Sequence, residues 1–341
     1  MEHTPSGNAP NYHAAMNPDI LLDVRNLSVS FDTGEQSLCA VDDVSFSVPR
    51  GKCVGIVGES GCGKSVTAMS LVRLLPRPAG RVTEGRVLFD GEDLLSVRSR
   101  RLREIRGGRI GVIFQEPMNA LNPVHKIGDQ IAETLMLHKG MSADAAWKEA
   151  INLLNYVRIP DPEARVEDYP MSLSGGMRQR IVIAIALACR PELIIADEPT
   201  TALDVTVQQQ ILALLRELRE ELGASSLLIT HDLGVIAQNC DKVCVMYAGR
   251  IVESADVHSL FTSPRHAYTK ALLASMPRLD YPRKTHLPTI PGQVPPIRDY
   301  VPGCRFCQRM GRKGVTLHKR PPYLEVEPGH FVEACPVCST L

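Results

Sequence analysis

Eight residues, Gly58-Glu59-Ser60-Gly61-Cys62-Gly63-Lys64-Ser65, separate a short apolar run (residues 54–57) from a segment with helical apolar spacing (residues 66–75) that Pro76 ends. No other feature narrows the choice of fold as much. A buried strand, a glycine-rich turn and a helix in that order put several backbone N–H groups and the positive end of a helix around one point, which suits a bound phosphate. Lys64 is then placed to reach β- and γ-phosphates as a point charge, and the Ser65 hydroxyl to hold the Mg²⁺ that bridges them.

Further buried-strand candidates at residues 110–114, 193–196 and 227–229 lie among helical segments at about 177–188 and 207–222. That alternation predicts an α/β fold with a mostly parallel core sheet. Residues 20–31 and 45–48 alternate apolar and polar side chains and predict an N-terminal antiparallel β region. Residues 116–173 show no comparable strand run. Two helical stretches there, 127–139 and 143–157, predict an inserted helical subdomain.

Two more patterns carry chemistry. Leu193-Ile194-Ile195-Ala196-Asp197-Glu198 is an apolar strand ending in two acids. Asp197 is the candidate Mg²⁺ carboxylate and Glu198 the candidate general base for an attacking water. Leu173-Ser174-Gly175-Gly176-Met177-Arg178-Gln179-Arg180 is a second polar glycine turn opening a helix, hence a second anion site.

With this second turn in view, residues 20–257 closely resemble the ATP-binding subunit of an ABC transporter. The resemblance implies an ATPase with ATP and Mg²⁺. Its nucleotide contacts would be the loop residues Gly58 to Val66, with Glu59, Ser60, Gly61, Cys62 and Gly63 lining the turn. It implies that Ser174, Gly175 and Gly176 meet the γ-phosphate of a nucleotide held by a partner subunit. Gln115 is similar to the glutamine that senses Mg²⁺ or water, and His231 to the switch histidine at the γ-phosphate. The loop ending in Asp204 resembles the segment that couples two sites across a dimer. Phe31 stands where an aromatic stacks on adenine.

Two further segments, Glu116-Pro117-Met118-Asn119-Ala120-Leu121-Asn122-Pro123 and residues 287–296, resemble the oligopeptide, dipeptide and nickel importer ATPases. This implies import of di- or oligopeptides, with a nickel or opine-type solute as the alternative cargo. The implied partners are a second, homologous ATPase chain forming a heterodimer, two transmembrane permeases and an extracytoplasmic solute-binding protein. The implied location is the cytoplasmic face of the cell membrane.

Composition tests the other classes. Lys plus Arg and Asp plus Glu are both 38, so the chain has no net positive field for nucleic acid. A soluble ABC ATPase acting on nucleic acid or ribosomes is thereby disfavoured, and no nucleic-acid partner is expected. The presence of Glu198 and His231 argues against a module that binds nucleotide without turnover. The longest apolar run, residues 181–189, is half of what a membrane-spanning helix needs. The opening, residues 1–18, is polar and reads as a flexible tail without the apolar stretch that export requires. The nucleotide-binding domain is expected over residues 19–263, with its helical subdomain at about 116–173. Beyond it, residues 264–341 hold twelve of the 25 prolines and predict an irregular appendage.

That appendage carries Cys304-x-x-Cys307 and Cys335-x-x-Cys338. Cytosolic cysteines in paired CxxC spacing read as metal ligands before disulfides. Peptide-importer ATPases often hold a [4Fe-4S] cluster on four tail cysteines, so the resemblance implies a cluster. This chain departs from that pattern, with Met310 near one expected cysteine and none near Leu317. Two CxxC pairs suit Zn²⁺ equally. The other six cysteines, Cys39, Cys53, Cys62, Cys189, Cys240 and Cys244, read as core or loop residues.

Overall fold

The computed structural model describes residues 17–201, 203–277, 286 and 288–340. Most of the N-terminal tail, Ala202 in the loop before Asp204, and Leu287 lie outside the described residues. The described residues fall into two compact units, one within residues 1–47, 54–95 and 230–341, the other within residues 48–53 and 96–229.

In the first unit, strands β1 (Ile20–Asp32), β2 (Ser37–Pro49), β4 (Gly80–Phe89) and β5 (Glu92–Asp93) form a sheet in the order β2-β1-β4-β5. Strands β1 and β4 pair antiparallel, with Leu22 opposite Phe89 and Val24 opposite Val87. Those side chains are buried, as the alternating sequence requires. β2 begins eight residues earlier than the apolar alternation indicates, because its polar start is held by strand pairing.

A second sheet region of this unit contains β3 (Cys53–Val57), β9 (Lys242–Tyr247), β10 (Arg250–Asp256), β11 (Tyr323–Glu327) and β12 (His330–Glu333). β3 and β9 are parallel, with Val57 beside Val245. β9–β10, β10–β12 and β11–β12 are antiparallel. The tail is thus more ordered than its prolines indicate: it adds a hairpin, β11–β12, and a short helix, Arg305–Arg309. Its core is shared with the phosphate loop's strand. Val57, Val245, Tyr247 and Tyr268 pack in one cluster with Phe306 and all four tail cysteines. The Tyr247 and Tyr268 rings lie 4.5 Å apart, and Phe306 meets Tyr247 edge-on at 5.5 Å.

In the second unit, β6 (Ile110–Ile113), β7 (Leu193–Asp197) and β8 (Ser225–Thr230) are parallel neighbours. Every residue of β7 and β8 is buried, which explains the apolar stretches at residues 193–196 and 227–229 within them. Helices Ile127–Lys139 and Ala143–Tyr156 pack together in the segment without strands. Helix Gly175–Leu187 is polar in its opening turns, with Arg178, Gln179 and Arg180, and apolar beyond them, where it buries Ile181, Ile183 and Ala184.

Candidate functional site

The phosphate loop is shaped by contacts that exclude side chains. A Cβ at Gly58 would lie 2.1 Å from the Met246 carbonyl oxygen, and Gly63 has φ +107° beside the Ala40 carbonyl. The helix Lys64–Leu71 therefore starts at the lysine, two residues before its apolar spacing does. Lys64 is buried, and its Nζ donates to the Gly58 and Glu59 carbonyls at 2.8 and 3.0 Å, so its charge is held within the loop. Gly249 N–H donates to the Cys62 carbonyl at 2.8 Å. Burial pushes the Cys62 thiol up to about 11, so it stays neutral beside the lysine.

Ser60 and Gly61 lie exposed on the loop, while Ser65 and Val66 are half-buried in the first turn of the helix. Glu59 is gripped from two sides. Its N–H donates to the Tyr268 hydroxyl oxygen at 3.0 Å, and its carboxylate accepts both of its Arg309 bonds from Nη1, at 3.0 and 2.7 Å. Phe31 sits half-buried near the end of β1, opposite Gly80. His231 is exposed just after Thr230, and Asp232 caps the helix Leu233–Asn239 that follows.

The second unit gathers another group. Asp197 ends β7 and is buried. Glu198 turns out of the strand with φ +45°, its N–H donating to the Ile229 carbonyl at 2.9 Å. Its Oε2 accepts from Gln115 Nε2 at 3.2 Å and from Thr201 Oγ1 at 3.0 Å. Ser174 caps the helix Gly175–Leu187 by accepting from Met177 N–H at 3.4 Å. A Cβ at Gly176 would meet Val207 Cγ1 at 2.8 Å. Asp204 caps the helix Val205–Leu222 through Val207 N–H at 3.0 Å. Ser65 in the first unit offers a hydroxyl, and Asp197 and Gln115 in the second offer a carboxylate and an amide; each is an oxygen donor of the kind Mg²⁺ takes.

The tail cysteines converge. All four are buried, and every pair of their sulfur atoms lies within 4.8 Å. The closest separations are 3.3 Å (Cys307–Cys338), 3.7 Å (Cys307–Cys335) and 3.8 Å (Cys304–Cys338). Four thiolates on one ion with bonds near 2.3 Å make a tetrahedron whose edges are about 3.8 Å. A cubane places each thiolate on a different iron, pointing outward from a corner, and spreads the sulfurs well beyond the distances seen here. The [4Fe-4S] expectation does not fit this spacing.

Sequence reading missed Tyr268, Arg309 and the hydrogen-bonding role of Thr201. Tyr268 and Arg309 stand 209 and 250 residues from Glu59, and no local pattern marks them. Thr201 lies only three residues from Glu198, within a loop already singled out.

The ABC transporter family model matches residues 41–201, and the model of the oligopeptide/dipeptide transporter C-terminal region matches residues 252–313. A probable peptide ABC transporter ATP-binding protein of Sinorhizobium fredii is 51% identical over 313 residues, 92% of this chain and 93% of that protein. The dipeptide transport ATP-binding protein DppD of Bacillus subtilis is 50% identical across 89% of this chain and 90% of its own. The oligopeptide transport ATP-binding protein OppD of the same organism is 46% identical, covering 92% and 88%. Among solved structures, the ATP-binding cassette MJ0796 in a dimeric post-hydrolysis state with ADP and Pi aligns with a TM-score of 0.62. It is 28% identical and covers 69% of this chain and 98% of that one.

Proposed function

The chain belongs to the ABC transporter ATP-binding subunits with an oligopeptide/dipeptide-type C-terminal region, and from that premise we propose that it hydrolyses ATP to drive import of di- or oligopeptides through a membrane transporter. The observation that carries the reading is the Glu198 carboxylate, held by Gln115 and Thr201 at the end of a buried strand.

In this proposal Lys64 neutralises charge on the β- and γ-phosphates, and the N–H groups of residues 58–66 surround them. Phe31 meets the adenine. Ser65, Asp197 and Gln115 would hold Mg²⁺, which would supply charge neutralisation at the phosphates. Glu198 takes the proton of the attacking water, and His231 contacts the γ-phosphate and steadies that base. Ser174, Gly175 and Gly176 cap the nucleotide of a second cassette, and Asp204 lies in the loop that links the two sites. Loss of the γ-phosphate removes those cross-subunit contacts and loosens the dimer.

The partners are a second, different ATPase chain, two permeases and a solute-binding protein, which put this chain at the cytoplasmic face of the cell membrane. No helix among the described residues is long and apolar enough to cross a membrane. The strand-free segment exposes Val124, Leu137 and Met171, apolar positions suited to a permease contact. Cys304, Cys307, Cys335 and Cys338 hold a metal. A nickel or opine-type importer would use the same ATPase chemistry with other permeases.

Glu198→Gln tests the reaction: ATP turnover is abolished while ATP-bound dimerisation persists. Wild-type turnover in that variant sinks the assignment. Co-purifying the intact complex and identifying the ligand of its binding protein tests the cargo.

A further inference from the structure

The four tail cysteines lie in the same apolar core as Val57, the last residue of the strand that enters the phosphate loop. Each pair occupies a tight turn. Cys304 caps the helix Arg305–Arg309, its sulfur accepting from Cys307 N–H at 3.4 Å. Cys335 and Cys338 follow β12, and Ser339 N–H closes the second turn on the Cys335 carbonyl at 2.9 Å. Two such turns facing each other bring four sulfurs around one point; the 3.7 and 3.8 Å separations lie at the edge length of a single-ion tetrahedron, the 3.3 Å one is shorter, and all pairs fall within 4.8 Å. One ring nitrogen of His266 also lies within 4.8 Å of the Cys304 sulfur, and His266 Nε2 is buried without a nitrogen or oxygen partner. Because His266 Nδ1 accepts from Tyr268 N–H, the ring proton belongs on Nε2. A histidine ring beside a thiolate is a common support given to a metal ligand from outside the coordination sphere.

The short helix between Cys304 and Arg309 reaches the nucleotide loop twice. Arg305 donates to the Ala248 carbonyl and pairs with Asp42. Ala248 precedes Gly249, whose N–H holds the Cys62 carbonyl of the loop. At the other end, Arg309 holds the Glu59 carboxylate and donates to the carbonyls of Ile290, Pro291 and Gly292. Ile290, Pro291 and Gly292, within a segment singled out in the sequence, thus form a collar around this arginine. A five-residue helix has no intrinsic stability in water, so something must fix it in place. A metal bound through Cys304 and Cys307 would do so at both its N-cap and its centre.

We propose that the four cysteines hold one tetrahedral zinc ion instead of an iron–sulfur cluster, and that this ion fixes the arginine-bearing helix that clamps the phosphate loop. The metal identity stands independently of the transport reading. The clamp rests on the loop being the nucleotide site.

The test uses the full chain, purified anaerobically without chelator. Metal and acid-labile sulfide analysis is expected to give about one zinc per chain and no sulfide. Iron and sulfide in comparable amounts, or no retained metal, overturns the proposal. Protein made in cobalt-supplemented medium is expected to show the visible bands of a tetrahedral tetrathiolate cobalt site, a readout that needs no variant. Their absence in protein that has bound cobalt overturns the geometry. For the clamp, affinity for a fluorescent ATP analogue is expected to fall several-fold when zinc is stripped and to recover when zinc alone is restored. Unchanged affinity on stripping overturns the clamp. If the zinc-loaded chain binds no nucleotide, the proposed function fails while the metal assignment stands.

Discussion

Arg309 and Glu59, 250 residues apart in the chain, are joined through one guanidinium nitrogen that donates to both carboxylate oxygens at 3.0 and 2.7 Å. The arginine side chain is only 5% exposed, whereas the glutamate is 28% exposed. The pair therefore lies at the inner edge of the loop and is shielded from solvent on its basic side. An arginine in the tail governs where a residue of the phosphate loop stands.

Arg309→Ala removes that pair and leaves the Ile290, Pro291 and Gly292 carbonyls without their donor. Breaking one side of a largely buried ion pair costs about 3 kcal/mol. The urea midpoint should fall accordingly, with nucleotide affinity falling as well. Glu59→Gln, which retains an acceptor, should lose less than half as much. Equal stability of Arg309→Ala and the parent chain would refute the strut.

Thr201→Val and Gln115→Ala each remove one hydrogen bond from Glu198 without removing the carboxylate. Steady-state ATPase assays should show kcat lowered about tenfold, the scale of misplacing a general base, with KM for ATP little changed. A rise in KM at constant kcat would instead assign these residues to nucleotide binding.

Asp42 receives bonds from Arg250 at 2.9 Å, from Arg320 at 3.2 Å, and from Arg305. Burial alone would raise its pKa, but the three guanidiniums outweigh that and hold the carboxyl below its usual 3.8. Its contribution to stability is therefore present in full above pH 4 or so and is lost as pH falls through the lower folded-state value. Asp42→Asn leaves the buried Arg305 without its carboxylate and Arg250 with only the Glu333 carboxylate at 3.6 Å, which costs about 3 kcal/mol. Denaturation midpoints measured from pH 6 down to pH 3 should show a shallower acid limb in that variant. An unchanged limb would assign the acid sensitivity to other carboxylates.

Cys62 lies within the loop beside Lys64, yet it is fully buried and its thiol is pushed up to about 11. Thiolate, not thiol, reacts with alkylating agents. Iodoacetamide at neutral pH should leave Cys62 unmodified in the native chain and label it fully in urea, as read by peptide mass spectrometry. Rapid native labelling would contradict its burial.

Much of the candidate site is legible before any coordinates. Glycines at 58, 61 and 63 followed by Lys64 and Ser65 specify a turn whose chemistry is local, because backbone N–H direction and helix start depend on adjacent residues. The apolar runs within β6, β7 and β8 are similarly visible, since strands that are buried on nearly every residue need few polar positions to interrupt them. The Lys242–Tyr247 and Arg250–Asp256 strands are harder to see. Lys242, Arg250, Glu253 and Ser254 interrupt their apolar pattern, and several of those polar groups find partners only in the fold, as Glu253 does with His330 at 2.8 Å.

What the chain states by itself, then, is everything carried by neighbours in sequence: the phosphate turn, the acid pair after β7, the serine-glycine turn at 174–176 and the two CxxC pairs. Only the tertiary structure decides relations across long stretches of backbone. Among these are the seating of Arg309 on Glu59, the gathering of four sulfurs within 4.8 Å, and their common core with Val57. The physical reason is that spacing along a chain names the ligands a turn can offer. How far apart two such turns come to rest depends on the packing between them, and that distance distinguishes a cage for one ion from a cage for a cluster.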